Sequence, residues 1–282
     1  MSDSLFTWHC GSFFFEQTQP LVVGILNVTP DSFSDGGCYS NTFEALFHAN
    51  SLLEAGADII EVGGESTRPG SRELAAPEEL ARILPVVKVL VREGVCVSVD
   101  SRHPPVIKAC LEEGAAIIND ITGFTDASMR ELAGSSEAGC VVMHMQGKPQ
   151  TMQESPRYDD IVAEVSDFLL SQADALVESG VKRQRICLDV GPGFGKNYEQ
   201  NLLLLKNTAH FANLGSPAYP LMAAWSRKRF LGMLTGEEVP AQRVAASVAA
   251  ALFAASQGAR VLRVHDVEPT VMALKVLNAV YE

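Results

Sequence analysis

Positive charge is scarce in this 282-residue chain. It carries 22 Lys plus Arg against 34 Asp plus Glu, a formal net charge of −12. A bulk field this acidic excludes a protein that coats nucleic acid or an anionic membrane, so any anionic ligand has to meet a local cluster of cations. Cysteine pairing is also missing. Cys10, Cys38, Cys96, Cys110, Cys140 and Cys187 form no CxxC pair and no metal-finger spacing, which argues against a disulfide scaffold and predicts small, buried free thiols. No apolar run reaches the ~18 residues of a membrane-spanning helix. The most apolar stretch, Val244–Ala255, is shorter, contains Ser247, and reads as an Ala-rich helix in close packing. No cationic leader precedes the first apolar residues. These absences predict a soluble, cytoplasmic protein with no nucleic-acid or membrane partner. No linker or low-complexity stretch divides the chain, so residues 1–282 read as a single domain.

What the chain does contain is a regular alternation. Short apolar runs occur at Leu21–Leu26, Asp58–Val62, Val95–Val99, Ala116–Asn119, Cys140–Met143, Arg185–Leu188, Tyr219–Ala224 and Val261–Val264. Seven of the eight lack the polar alternation of a half-solvated strand, which is the habit of parallel strands buried on both faces. Helix-length segments with apolar spacing of three and four lie between them: Thr42–Ala55, Pro77–Glu93, Pro104–Glu113, Asp159–Ser179, Glu199–Asn213 and Val239–Gln257. Several end at a glycine placed to cap a helix C-terminus, such as Gly56, Gly114 and Gly258. Eight strand-then-helix units predict a (β/α)8 TIM barrel. A doubly wound open sheet would place a GxGxxG turn after the first strand, and none follows Leu21–Leu26. The residues before it, Leu5–Trp8, a break at Cys10–Ser12, then Phe13–Phe15, predict a short N-terminal hairpin that plugs the barrel floor.

In such a barrel the chemistry gathers at the C-terminal ends of the strands. Those positions hold Asn27, Gly63–Pro69, Asp100, Asn119-Asp120, His144, Asp189, Ser226-Arg227-Lys228, Arg263 and His265. Buried carboxylates at Asp100 and Asp189 require cations or a ligand, and Arg68, Lys228 and Arg263 are the internal candidates. Several familiar motifs fail. Gly191–Lys196 (GPGFGK) is one residue short of a phosphate loop and lacks its Ser or Thr. Glu61 and Glu65 could pair as acid and base, though helix capping or salt bridging suits them as well. His144 has no second ligand at zinc spacing, and Ser226 has no histidine nearby in sequence to activate it.

A wider pattern emerges from the same strand ends. GILNVTPDSFSDGG from Gly24, GADIIEVGGESTRPG from Gly56, SVDS at Ser98–Ser101 and IINDITG at Ile117–Gly123 occur in that order. VVMHMQG at Val141–Gly147 with PQTMQ beyond it, LDVGPGFGK at Leu188–Lys196, SRKRFLG at Ser226–Gly232 and RVHDV at Arg263–Val267 complete the series. This series resembles the signatures of the dihydropteroate synthases, across residues 24 to 267. The resemblance implies a TIM barrel that condenses 6-hydroxymethyl-7,8-dihydropterin diphosphate with 4-aminobenzoate and releases pyrophosphate in folate synthesis. It implies a pterin site of Asp100, Asn119, Met143, Asp189, Phe194, Lys228 and Arg263, with Arg263 along the ring face. It implies a pyrophosphate site of Asn27, Thr67, Arg68, Arg263 and His265, with Mg²⁺ on Asn27. The aminobenzoate site would comprise Phe33, Thr67, Arg68, Pro69, Ser226 and Lys228, at a helix starting from Ser226. Catalysis would fall to Asn27, Arg68, Lys228, Arg263 and His265. The loops Thr29–Tyr39 and Glu65–Ser71 would close over substrate, and the later helices would form a homodimer. The chain departs from the family's common pattern at Glu61 (often Asp), Val190, Pro192 and Arg229. A corrinoid-methyltransferase barrel and a non-catalytic pterin-binding paralogue stay open as alternatives at this point.

Overall fold

The computed structural model describes residues 5–29, 38–66 and 73–281, the side chains of 38–41 apart. The chain opens with β1 (Phe6–Cys10) and β2 (Phe13–Gln17), then alternates: β3 (Leu21–Asn27), α1 (Cys38–Glu54), β4 (Ile59–Gly63), α2 (Ala76–Arg92), β5 (Val97–Asp100), α3 (Pro104–Glu112), β6 (Ile117–Asp120) and α4 (Ala127–Ser135). It continues through β7 (Gly139–Met143), α5 (Ile161–Glu178), β8 (Ile186–Asp189), α6 (Tyr198–Lys206), α7 (Thr208–Phe211) and β9 (Leu221–Ala223). It ends with α8 (Arg229–Thr235), α9 (Val244–Ser256), β10 (Val261–Val264) and α10 (Val267–Tyr281). Strands β3 to β10 form a closed parallel barrel in chain order, with β10 pairing back to β3. Five of the eight, β4, β6, β7, β8 and β9, are buried at every residue, as strands covered on both faces by core and helices must be. No helix among the described residues is long and apolar enough to cross a membrane.

The hairpin does plug the floor. β1 and β2 pair antiparallel, and Phe6, Trp8 and Cys10 pack beneath the inward side chains Val23, Ile59, Ile117, Val141 and Cys187. Trp8 is fully buried and its indole N–H donates to the Arg185 carbonyl at 3.1 Å, so its one polar atom is satisfied. The described cysteines, Cys10, Cys96, Cys110, Cys140 and Cys187, are free and buried. Burial pushes their thiols up, Cys96 and Cys110 to about 12, which makes them inert packing groups.

Local chemistry shifted some element boundaries. The helix expected over Val239–Gln257 begins at Val244, because Pro240–Gln242 forms a tight turn first. The segment expected as one helix over Glu199–Asn213 breaks at Asn207 into α6 and α7. The helix expected from Ser226 starts at Arg229 instead. Arg227 adopts a left-handed φ of 57°, which no helix accommodates.

Candidate active site

Strand register builds the site. Asn27, Gly63, Asp100 and Asn119 pair in succession across β3, β4, β5 and β6, so they stand at one level of the rim. Gly63 contributes no side chain between Asn27 and Asp100, where a Cβ would lie 3.6 Å from the Asp100 Cβ and 3.9 Å from Asn27 Oδ1. Across the barrel Met143 pairs with Asp189, and Arg263 rises from β10. Glu61 lies one level below on β4, beside Ser98.

Glu61 is the hub beneath the rim. It is 1% exposed, takes Arg263 Nε at 2.5 Å and accepts from Asn119 Nδ2 at 2.8 Å and Ser98 Oγ at 3.3 Å. Arg263 Nη2 also donates to Asp100 Oδ2 at 2.9 Å. One guanidinium therefore bridges two carboxylates, the fork geometry for which arginine is suited. Burial opposes the Arg263 charge, but Glu61 and Asp100 outweigh it and hold the pKa above its ordinary value. Burial and the Glu61 charge raise Asp100 to about 7, against the pull of Arg263 and Lys228. Burial and Arg263 lower Lys228 to about 8, while Asp189 and Asp100 work the other way. Asp189 is buried, which raises its pKa, and its Oδ1 accepts from the Gly191 N–H at 2.8 Å.

The far wall is apolar. Met143 and Phe194 cluster with Ile121 and Met152, and the Lys228 ammonium sits 4.7 Å from the Phe194 ring centre. Lys196 frames that wall from behind, a role its rejected phosphate-loop motif did not suggest. Its buried Nζ donates to His144 Nδ1 at 2.9 Å and to the carbonyls of Phe194, Gly191 and His144 at 2.9, 3.0 and 3.3 Å. An ammonium only donates, so His144 accepts as a neutral ring, and burial together with Lys196 lowers its pKa to about 3. Gly191 has φ of 64°, and a Cβ there would overlap the His144 carbonyl, so the two loops touch only because this residue is glycine.

On the remaining side Ser226 Oγ lies 3.0 Å from His265 Nδ1 and accepts from the His265 N–H at 3.2 Å. The left-handed Arg227 between Ser226 and Lys228 is held at both ends. Its guanidinium pairs with Asp266, its N–H donates to Ser247 Oγ at 2.9 Å, and its carbonyl accepts from Arg243 at 3.0 Å. The arrangement is a polar cup over an apolar wall, able to pair with the donors and acceptors of a flat heterocycle and with an anion beside it.

A profile described as pterin binding enzyme matches residues 23–265 of this chain. Dihydropteroate synthase of Escherichia coli (strain K12) is 45% identical over 263 residues, spanning 93% of this chain and 92% of that protein. The chain belongs to the dihydropteroate synthase family. Among solved structures, the Xanthomonas albilineans dihydropteroate synthase with 4-aminobenzoic acid superposes with a TM-score of 0.92 at 42% identity, covering 99% of each chain. The Burkholderia cenocepacia dihydropteroate synthase complexed with 7,8-dihydropteroate gives 0.87 at 43%, over 99% of this chain and 98% of that one.

Of the residues that the dihydropteroate synthase signatures nominated, Asn27, Asp100, Asn119, Met143, Asp189, Phe194, Ser226, Lys228, Arg263 and His265 come from seven barrel strands or the loops that follow them. Phe33, Thr67, Arg68 and Pro69 lie outside the described residues. The flanks of residues 67–72 are tied to each other, since Glu65 accepts from the Leu74 N–H at 2.9 Å and pairs with Arg102 at 3.1 Å. Glu61 and Lys196 are the two groups that motif reading undervalued. Strand parity held the signal for Glu61, which stands two residues before Gly63 and therefore on the same inward face. Of the other departures, Val190 is buried in the core and Arg229 is exposed on the first turn of α8.

Proposed function

We propose that this protein is a dihydropteroate synthase, joining 6-hydroxymethyl-7,8-dihydropterin diphosphate to 4-aminobenzoate with release of pyrophosphate. The observation that carries the reading is the assembly of Asp100, Asn119, Asp189 and Lys228 around one cup, floored by the Glu61–Arg263 pair. A reduced pterin presents a planar edge of N–H donors and a carbonyl. Asp100 and Asp189 suit the donors, Lys228 suits the carbonyl, and Phe194 and Met143 suit the ring faces. Each charge-assisted hydrogen bond contributes about 1.5–3 kcal/mol.

The diphosphate would lie toward Asn27, His265 and Arg263, with Thr67 and Arg68 completing its site. The donor set near Asn27 fits Mg²⁺, which prefers one or two protein oxygens, several waters and substrate phosphates. No cluster of three or more Asp, Glu, His or Cys side chains that could hold a metal occurs among the described residues. When bound, Mg²⁺ neutralises charge on the leaving diphosphate. Arg263 and His265 bind and orient that group, and Lys228 fixes the pterin so that its methylene faces the incoming amine. A neutral arylamine needs no strong base, which accounts for a site without a triad. The aminobenzoate would lie by Ser226, Lys228, Phe33, Thr67, Arg68 and Pro69. Loops 29–39 and 65–71 would close over both substrates. The cytoplasm is the compartment that fits free thiols. The chain would act as a homodimer through α9 and α10, where Phe253, Met272, Val276 and Val280 form an exposed apolar face.

Pyrophosphate release, coupled to a colorimetric readout, tests the reading. Release is expected only with the pterin diphosphate, 4-aminobenzoate and Mg²⁺ all present. Lys228→Ala and Asp189→Asn should each lower turnover by roughly 100-fold or more while the fold survives. Unchanged rates in both variants would overturn the pterin pocket.

A further inference from the structure

Asn119 is a group of the cup whose hydrogen-bonding polarity its own chemistry does not fix. Turned over, a carboxamide exchanges an acceptor for two donors. A neighbour decides the matter here. The two oxygens of Glu61 serve different partners, Oε1 taking Arg263 Nε at 2.5 Å and Oε2 taking Asn119 Nδ2 at 2.8 Å. A carboxylate only accepts, so the Asn119 NH₂ must face Glu61 and its Oδ1 must face away. That Oδ1 is buried and has no hydrogen-bond partner among the described residues. A buried orphan acceptor is costly, and a ligand N–H would satisfy it.

We propose that Glu61 is a positioning residue that presents Asn119 to the ligand as a hydrogen-bond acceptor, so that the cup selects a heterocycle edge bearing an N–H donor at that point. The proposal rests on the pterin reading for the ligand's identity and goes beyond it in assigning the origin of its selectivity. An isosteric change exposes the logic. In Glu61→Gln, Arg263 can only donate, so it retains the amide oxygen at the Oε1 position. The new NH₂ then occupies the Oε2 position and faces Asn119. Asn119 turns over to offer it an oxygen, and its own NH₂ replaces the acceptor. Ser98 does not resist, because a hydroxyl accepts as readily as it donates. Replacing one oxygen by nitrogen in a buried side chain thereby inverts what a second residue reads.

The test is a double-mutant cycle on binding of 7,8-dihydropteroate, measured by calorimetry on the full-length protein. Glu61→Gln is expected to weaken binding by roughly 10- to 100-fold. In an Asn119→Ala background the same change is expected to cost only a few-fold, because no amide remains to turn. Glu61→Asp, which still only accepts, is expected to recover most of the loss. Native-like affinity in Glu61→Gln, or an equal penalty in both backgrounds, overturns the proposal, the latter assigning Glu61 to Arg263 alone. A second measurement covers a Glu61→Gln protein that does not fold. In the ¹⁵N-labelled native protein, the Asn119 side-chain NH₂ signals, assigned by their loss in Asn119→Ala, are expected to resist exchange without ligand and to keep their shifts when product binds. Rapid exchange or a large shift overturns the proposal. Failure of native protein to bind any pterin would defeat the ligand reading instead, and the free-protein signals would still decide the orientation of Asn119.

Discussion

At the scale of single residues, the site places acids and bases so that their ordinary pKa values cannot hold. Asp100 is lifted to about 7 by burial and by Glu61, while Lys228 is lowered to about 8 by burial and by Arg263. In the proposed pterin site, ligand donors would need the Asp100 carboxylate and a ligand carbonyl the Lys228 ammonium. Activity therefore rises as Asp100 loses its proton and falls as Lys228 loses its own. The expected kcat/KM profile is a narrow bell with limbs near 7 and 8, belonging to the Asp100–Arg263–Lys228 cluster as a whole. Steady-state rates over a pH series check it, and a profile flat from pH about 6 to 9 would contradict the assignment. The stability sign is opposite for Asp100. Its folded form keeps a proton that the unfolded chain has released, so Asp100 costs folding stability as pH rises from about 4 to 7. A bound ligand that pairs with the carboxylate removes part of that cost. Much of this was legible from sequence, because Asp100, Asn119, Asp189 and Lys228 each end or follow a strand. The Glu61 hub was not, because acid–base, capping and ion-pair roles give the same letters. Only the distances to Arg263 and Asn119 separate them.

At the scale of elements, the apolar wall of the cup is a property of two loops tied together. Lys196 follows β8, His144 follows β7, and the ammonium joins both to the carbonyls of Gly191 and Phe194. Burial lowers Lys196 to about 7, so the tie is strongest in its charged form below that pH. Lys196→Met keeps the chain length, removes every donor and leaves four buried acceptors without it. A loss of about 2–4 kcal/mol in folding stability is expected by denaturant titration, along with weaker pterin binding as Phe194 and the Asp189 turn lose their frame. Native-like stability in that variant would show that the carbonyls find other partners. The eight-strand count, the parallel pairing and the hairpin followed from apolar runs and glycine caps. The breaks did not follow so readily. Asn207 divides a segment whose apolar spacing reads as continuous. Arg227 adopts a glycine-like backbone angle that three tertiary contacts enforce, and local sequence carries no sign of contacts with Asp266, Ser247 and Arg243.

At the scale of the whole molecule, the apolar face on α10 matters most. Met272, Val276 and Val280 recur at four-residue spacing and are 61%, 67% and 74% exposed, on a helix packed against α9. The proposed homodimer would cover this stripe. Sedimentation equilibrium is expected to give twice the 30.3 kDa chain mass for the native protein and the single mass for a Met272→Glu, Val276→Glu double variant. A native monomer would contradict the proposed homodimer. The Trp8 hairpin has a different kind of consequence. Among the described residues the hairpin stoppers the barrel from beneath, so the cup lies open only toward the C-terminal ends of the strands. A product spanning the proposed pterin and aminobenzoate positions would then have to back out the way its precursors came in.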